Sequence, residues 1–222
     1  MLLERNKEKL HRVVKGKKSD WEGLSATHLN KWQKVASRTH GVVTIGNATS
    51  LSGFILIIFG LYSFTNGAAL LGSALILTGR LMDYFDGIAA DMTKTKSSLG
   101  AKIDTHLDTI GLALALIVLI ATDTIPLLAT MIIILPRILG AFGYALSNAR
   151  GKHLDTTPRS KVAAGLVSAG VVLFMFKDAL GGSAGDLTYI LAWVIMLLAT
   201  ALSAPTHFEY LRVGLTDKKQ SN

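Results

Sequence analysis

No Asp, Glu, Lys or Arg occurs between Arg38 and Arg80, and Leu, Ile, Phe, Ala and Gly dominate that stretch. An uninterrupted apolar run of this length is about twice the roughly 20 residues that one bilayer crossing needs. Asn66-Gly67, near its middle, is a turn signal. In hydrocarbon the backbone must satisfy its own polar groups, so such a run folds as helix. The stretch reads as a hairpin of two transmembrane helices, 43–64 and 67–90. The rest of the chain continues the pattern. A third crossing starts near Gly100 and runs to Thr122, and a fourth follows Asp123 and ends near Asn148, with Pro136 as its kink. The fifth covers 161–179, and Gly181-Gly182 separates it from a sixth at 187–209. The expected fold class is an all-α integral membrane protein with six transmembrane helices and an N-terminal interfacial amphipathic helix.

Composition fits once the charges are placed. Half of the residues are hydrophobic, yet the net charge is +8. That combination describes either a basic nucleic-acid binder or a membrane protein with basic flanks. Residues 1–40 carry +6, residues 41–209 sum to zero, and the last thirteen residues add +2. The excess therefore lies outside a neutral, apolar middle, which argues against a nucleic-acid partner and for the bilayer. The opening MLLERNKEKLHRVVKGKK is too charged for the apolar region of a signal peptide. Trp21, Leu24, His28, Trp32 and Val35 recur at steps of three and four, with Lys31, Lys34 and Arg38 on other faces. This pattern predicts an amphipathic helix lying on an anionic membrane surface. The organisation expected is a basic arm over 1–40, a six-helix domain over 41–210 and a tail over 211–222. With both termini on one side, that side receives the arm, the 91–99 and 149–160 loops and the tail, while the opposite loops offer only Lys177. The positive-inside bias then makes both termini cytoplasmic in a multi-pass protein of the cell membrane. The absence of cysteine excludes disulfides and thiolate metal sites.

Acidic side chains within bilayer-spanning helices are costly and by default functional. Four of them are grouped here. Asp83 and Asp86 lie three apart toward the end of the second crossing, and Asp104 and Asp108 lie four apart near the start of the third. Each spacing puts its pair on one helical face. Four ionised carboxylates facing one another repel strongly unless hard cations neutralise them. An oxygen-only donor set favours Mg²⁺, Mn²⁺ or Ca²⁺ over zinc. Two divalent ions would balance four carboxylates and clamp a phosphate during in-line displacement. Pairing with Arg80, Arg137 or Lys102 as a purely structural device is the alternative. His106, two residues from each acid of its pair, points elsewhere and reads as a packing histidine. Asn47 reads as a polar residue at the start of the first helix.

The run from Asp83 to Asp108, DYFDGIAADMTKTKSSLGAKIDTHLD, closely resembles the signature of the CDP-alcohol phosphatidyltransferases, D-x-x-D-G-x-x-A-R, eight residues, then G-x-x-x-D-x-x-x-D. Asp83, Asp86, Gly87, Ala90, Gly100, Asp104 and Asp108 all fall in place with the spacer intact. The resemblance implies that the four aspartates bind two divalent ions, Mg²⁺ or Mn²⁺, beside a CDP-linked lipid. Asp108 would also be the catalytic base that takes the proton of the attacking alcohol. It further implies that Asp83, Gly87, Ala90 and the position of Asp91 lie along the CDP moiety, and that the protein is a homodimer. Asp91 stands where the family has arginine. Arg80, Lys94 and Lys96 are the nearby residues able to supply that charge.

The acceptor reading rests on Arg137, roughly 16 Å inside the fourth crossing at 1.5 Å per residue, and on Arg159, Lys161 and Arg212. A buried arginine requires an anionic partner, either a site aspartate or a phosphate on the acceptor. Ordinary positive-inside bias accounts for much of the remaining basic charge. RSKVAAG resembles the corresponding segment of phosphatidylglycerophosphate synthases, apart from Arg159 and Ala164. The expectation is a small polar alcohol acceptor bearing phosphate, glycerol 3-phosphate first and inositol phosphate next. A CDP-lipid-binding relative without turnover, suggested by Asp91, and a divalent-cation transporter using the same acids are the rival readings.

Overall fold

The computed structural model describes residues 19–21, 24–25, 27–150 and 157–216. The first eighteen residues of the basic arm, Lys152 in the fourth-to-fifth loop and the final six residues of the tail lie outside the described residues. Among the described residues the chain is entirely helical: α1 (Lys31–Arg38), α2 (Ile45–Thr65), α3 (Ala69–Thr93), α4 (Ser98–Ala121), α5 (Leu127–Ala149), α6 (Pro158–Leu180) and α7 (Gly182–Leu215).

The six long helices occupy the six expected segments. Four of them, α2, α4, α6 and α7, contain stretches long and apolar enough to cross a membrane, and only 22–39% of those stretches is buried inside the protein. Water does not tolerate that much exposed apolar helix; lipid does. The chain is an all-α, multi-pass membrane protein. The other two long helices carry interruptions that fit a site rather than a plain span: α3 holds Arg80, Asp83, Asp86 and Asp91, and α5 holds Pro136 and Arg137.

Helix limits follow from local chemistry. Thr44 and Ser97 cap α2 and α4 by accepting from the amides of Asn47 and Gly100. Gly67, at φ +84, reverses the chain after α2, and Gly181 and Gly182, at φ +61 and +49, do so between α6 and α7. Two expectations change. The amphipathic N-terminal helix begins at Lys31, not near Trp21, because Asn30 and Gln33 form a reciprocal capping box at 2.8 and 3.0 Å. The final helix starts at Gly182 and continues through Pro205 to Leu215, adding a turn or more beyond each expected end.

The chain divides into two compact units. Within residues 19–124 and 171–190, α2 packs along α3 through facing glycines. Gly46, Gly53 and Gly60 recur every seven residues on α2, opposite Ala90, Gly79 and Gly72 on α3. A Cβ on Gly53 would stand 2.7 Å from the Gly79 carbonyl oxygen, and one on Gly79 would stand 2.5 Å from that of Gly53. Lipid gives helices no hydrophobic reason to associate, so close backbone approach of this kind supplies the packing. It also brings α2 against the segment of α3 that bears the aspartates. Elsewhere in this unit Thr124 donates to Asp178 at 3.1 Å, and Phe174 meets Tyr189 edge-on at 5.6 Å between ring centres. Within residues 125–150, 157–170 and 191–216, α5 lies on α7 just as closely, with Gly140 against His207 and Gly143 against Leu211 and Gly214.

Candidate metal centre

The turn between α3 and α4 sets the geometry of the acidic cluster. Lys94 ends α3 in the left-handed conformation, and the amide of Thr95 bonds back to the Ala90 carbonyl at 3.0 Å. The N-terminal segment fastens this turn from outside. Asp20 and Lys96 exchange two hydrogen bonds, at 3.0 and 2.9 Å, and Asn30 and Gln33 donate to the carbonyls of Thr93 and Lys94 at 3.1 Å each. With the turn held, α3 and α4 present their aspartates to one another.

Asp83, Asp86 and Asp104 each direct a carboxylate oxygen into a common space, all three atoms lying within 4.8 Å of one another. Asp104 Oδ1 is buried and has no hydrogen-bond partner. An unpaired buried carboxylate oxygen is expensive, and a hard cation bound by three carboxylates removes that cost, so the residues fit a divalent ion. Asp86 is oriented by Ser50 of α2, whose buried hydroxyl donates to its Oδ2. Ser50 escaped the sequence reading. Its signal was its place one turn after Gly46 and one before Gly53, on the stripe that α2 turns toward α3.

The fourth acid is placed differently. Asp108 is not a member of the three-carboxylate group; its Oδ1 pairs with the guanidinium of Arg80. Gly87 is open, with nothing within 4 Å of where a Cβ would stand, whereas the methyl of Ala90 lies at the contact with Gly46. Asp91 forms a 2.6 Å ion pair with Lys96, so the acid that replaces the motif arginine has a counter-charge of its own. Asn47 donates to the carbonyls of Gly41 and Val42 at 3.0 and 2.9 Å, ordering the turn into α2, and Gly100 leaves room for its oxygen beside α4.

The basic residues expected at the acceptor belong to the other unit. Arg137 donates through Nη1 to the Ile133 carbonyl and to Thr200 at 2.7 and 3.1 Å, while its Nη2 is buried without a partner. No described carboxylate of its own unit pairs with it. His207 Nδ1 is likewise buried and unpartnered. Arg159 and Lys161 are exposed in the first turn of α6, and Arg212 is exposed in the last turn of α7.

No curated protein and no solved structure matches the chain. The family model of the CDP-alcohol phosphatidyltransferases matches residues 43–204, which take in α2 to α6, most of α7 and both halves of the aspartate motif. Enzymes of this family use divalent metal ions, which the three converging carboxylates could bind, and the match sets the cation-transporter reading aside. The chain belongs to the CDP-alcohol phosphatidyltransferase family, enzymes that transfer a phosphatidyl group from a CDP-linked lipid to an alcohol.

Proposed function

We propose that this enzyme transfers the phosphatidyl group of CDP-diacylglycerol, or of a similar CDP-linked lipid, to a phosphorylated alcohol. Glycerol 3-phosphate is the first candidate, as in phosphatidylglycerophosphate synthases, and inositol phosphate is the second. The observation that carries the donor side is the convergence of Asp83, Asp86 and Asp104 around a buried, unpaired Asp104 oxygen. Two Mg²⁺ or Mn²⁺ ions on the four aspartates would supply the positive charge that a diphosphate needs beside carboxylates. Ser50 keeps Asp86 turned inward, and Gly87 leaves its side of α3 free for the nucleotide. Asp108 removes the proton of the acceptor hydroxyl as its oxygen bonds to the lipid-bearing phosphorus. The phosphorus–oxygen bond to CMP breaks, and CMP leaves with the electron pair.

The acceptor assignment rests on cations suited to a phosphate. Arg137 has a buried N–H without a partner, and Arg159, Lys161 and Arg212 are exposed at the ends of α6 and α7. A forked guanidinium and a point-charge ammonium together suit a phosphate monoester. The site faces the cytoplasm in this reading, and the assembly is a homodimer.

The test is CMP release by the purified protein with CDP-diacylglycerol, Mg²⁺ or Mn²⁺, and a panel of acceptors. Glycerol 3-phosphate is expected to give the highest rate; a preference for serine over both phosphorylated alcohols overturns the assignment. In the same assay Asp108→Asn is expected to lower turnover by about 10²–10⁴-fold, the usual contribution of a general base, while leaving much of the CDP binding. Undiminished turnover removes Asp108 from the role.

A further inference from the structure

Asp108 differs from Asp86 and Asp104 in that a cation of the protein's own already holds it. Arg80 lies three residues before Asp83 on α3 and reaches across to α4. Its Nη1 pairs with Asp108 Oδ1, and the same nitrogen is 3.9 Å from Asp83 Oδ2. The Arg80 side chain is only 13% exposed. The guanidinium thus sits by both Asp83 and Asp108, where an ion held by these acids would bring its own charge. Unlike a histidine or lysine, it does not lose that charge by deprotonation.

The two halves of the cluster therefore offer an incoming cation different terms. At Asp83, Asp86 and Asp104 an ion meets three converging carboxylates, one with a buried oxygen that nothing satisfies. At Asp108 an ion must first break an existing pair and then stand beside a like charge. We infer that Arg80 is a built-in cation that divides the four aspartates into a ready site and a gated one. The first divalent ion binds at Asp83, Asp86 and Asp104; the second binds only as Asp108 exchanges Arg80 for it. Arg80 is a positioning residue in this scheme, acting through Asp108. The inference rests on the two-ion reading of the site proposed above and adds an order and an inequality to it.

The measurement is a Mn²⁺ titration of the purified full-length protein without substrate, with free Mn²⁺ followed by electron paramagnetic resonance. The wild type is expected to show two classes of site differing by about tenfold or more, tenfold being 1.4 kcal/mol. Arg80→Gln is expected to tighten the weaker class by about that factor and leave the stronger class unchanged, while Arg80→Lys restores the wild-type spread. Asp108→Asn is expected to remove the weaker class alone. Thermal unfolding supplies a second readout: Arg80→Gln should lower Tm in chelator, and saturating Mn²⁺ should close the gap. A residue that merely ties α3 to α4 would leave the spread between the classes unmoved. A single class of site in the wild type, a weaker class indifferent to Arg80→Gln, or loss of the stronger class in Asp108→Asn each overturns the inference while leaving a metal site in place. No Mn²⁺ binding at all by the wild type removes the metal reading, and this inference with it.

Discussion

Lys96 decides what Asp91 does to the site. The two side chains pair at 2.6 Å, with 63% of Asp91 and 45% of Lys96 exposed. An ion pair that open contributes at most about 1 kcal/mol to stability. Its value lies in the charge it cancels. Asp83, Gly87 and Asp91 follow at steps of four, so they share a stripe of α3, and a nucleotide lying over the open Gly87 would meet Asp91 next. Lys96→Ala is therefore expected to leave Tm within a degree or two but to weaken CDP binding several-fold, because it bares an acid beside a diphosphate. The double variant Asp91→Ala, Lys96→Ala should recover most of that loss, and the difference should shrink in high salt. Calorimetric CDP titration of the three proteins reads this directly; equal affinities would place the nucleotide away from the stripe.

At the scale of the element, two glycines of α3 eight residues apart make opposite demands. A Cβ on Gly79 would stand 2.5 Å from the Gly53 carbonyl oxygen, and one on Gly87 would touch nothing. Gly79→Ala is expected to cost about 1–3 kcal/mol, the range for overfilling a packed contact, since backbone cannot rotate out of the way as a side chain can. Gly87→Ala should leave detergent Tm unchanged or slightly higher, glycine being the weaker helix former, while CDP affinity falls. A loss of stability at Gly87 matching that at Gly79 would contradict the packing described. These elements also show where sequence legibility ended. Hydropathy located all six long helices, the first five to within about three residues and α7 short by a turn or more at each end, because lipid fixes both the length and the composition of a span. Spacing likewise put each pair of aspartates on one face. It could not say that Arg80 pairs with Asp108, since that depends on the gap between α3 and α4, where the 93–97 turn and its outside fastening lie. The N-terminal helix is shorter than its periodicity for a related reason: the pattern of Trp21, Leu24 and His28 precedes the Asn30 cap, which starts the helix at Lys31, and Asp20 is bonded to Lys96 instead.

For the whole molecule, the question that composition poses is direction. In the orientation proposed above, six crossings would put the α3–α4 turn and the sequence segments that flank the helices at 1–40, 149–160 and 211–222 on one side of the bilayer, with the ends of α3 and α4 that carry the aspartates. Lys94, Lys96, Arg150, Arg159, Lys161 and Arg212 would fall on that side, whereas the opposite helix ends offer only Lys177, in the last turn of α6. Short loops rich in lysine and arginine tend to stay on the cytoplasmic side, so the proposed orientation makes that side cytoplasmic. The chain lends itself to a direct test, because it contains no cysteine. Single cysteines can be placed at Asn66 and Asp186 for one face, and at Met92 and Thr216 for the other; all four positions are exposed. In intact cells a membrane-impermeant maleimide is expected to label Asn66→Cys and Asp186→Cys, and to reach Met92→Cys and Thr216→Cys only after permeabilisation. The reverse pattern would turn the protein over and put the aspartates on the wrong side for a cytoplasmic acceptor. Labelling of Asn66→Cys and Met92→Cys from the same side would be more damaging, because α3 could not then cross the membrane, and the charged helix would have to lie along its surface.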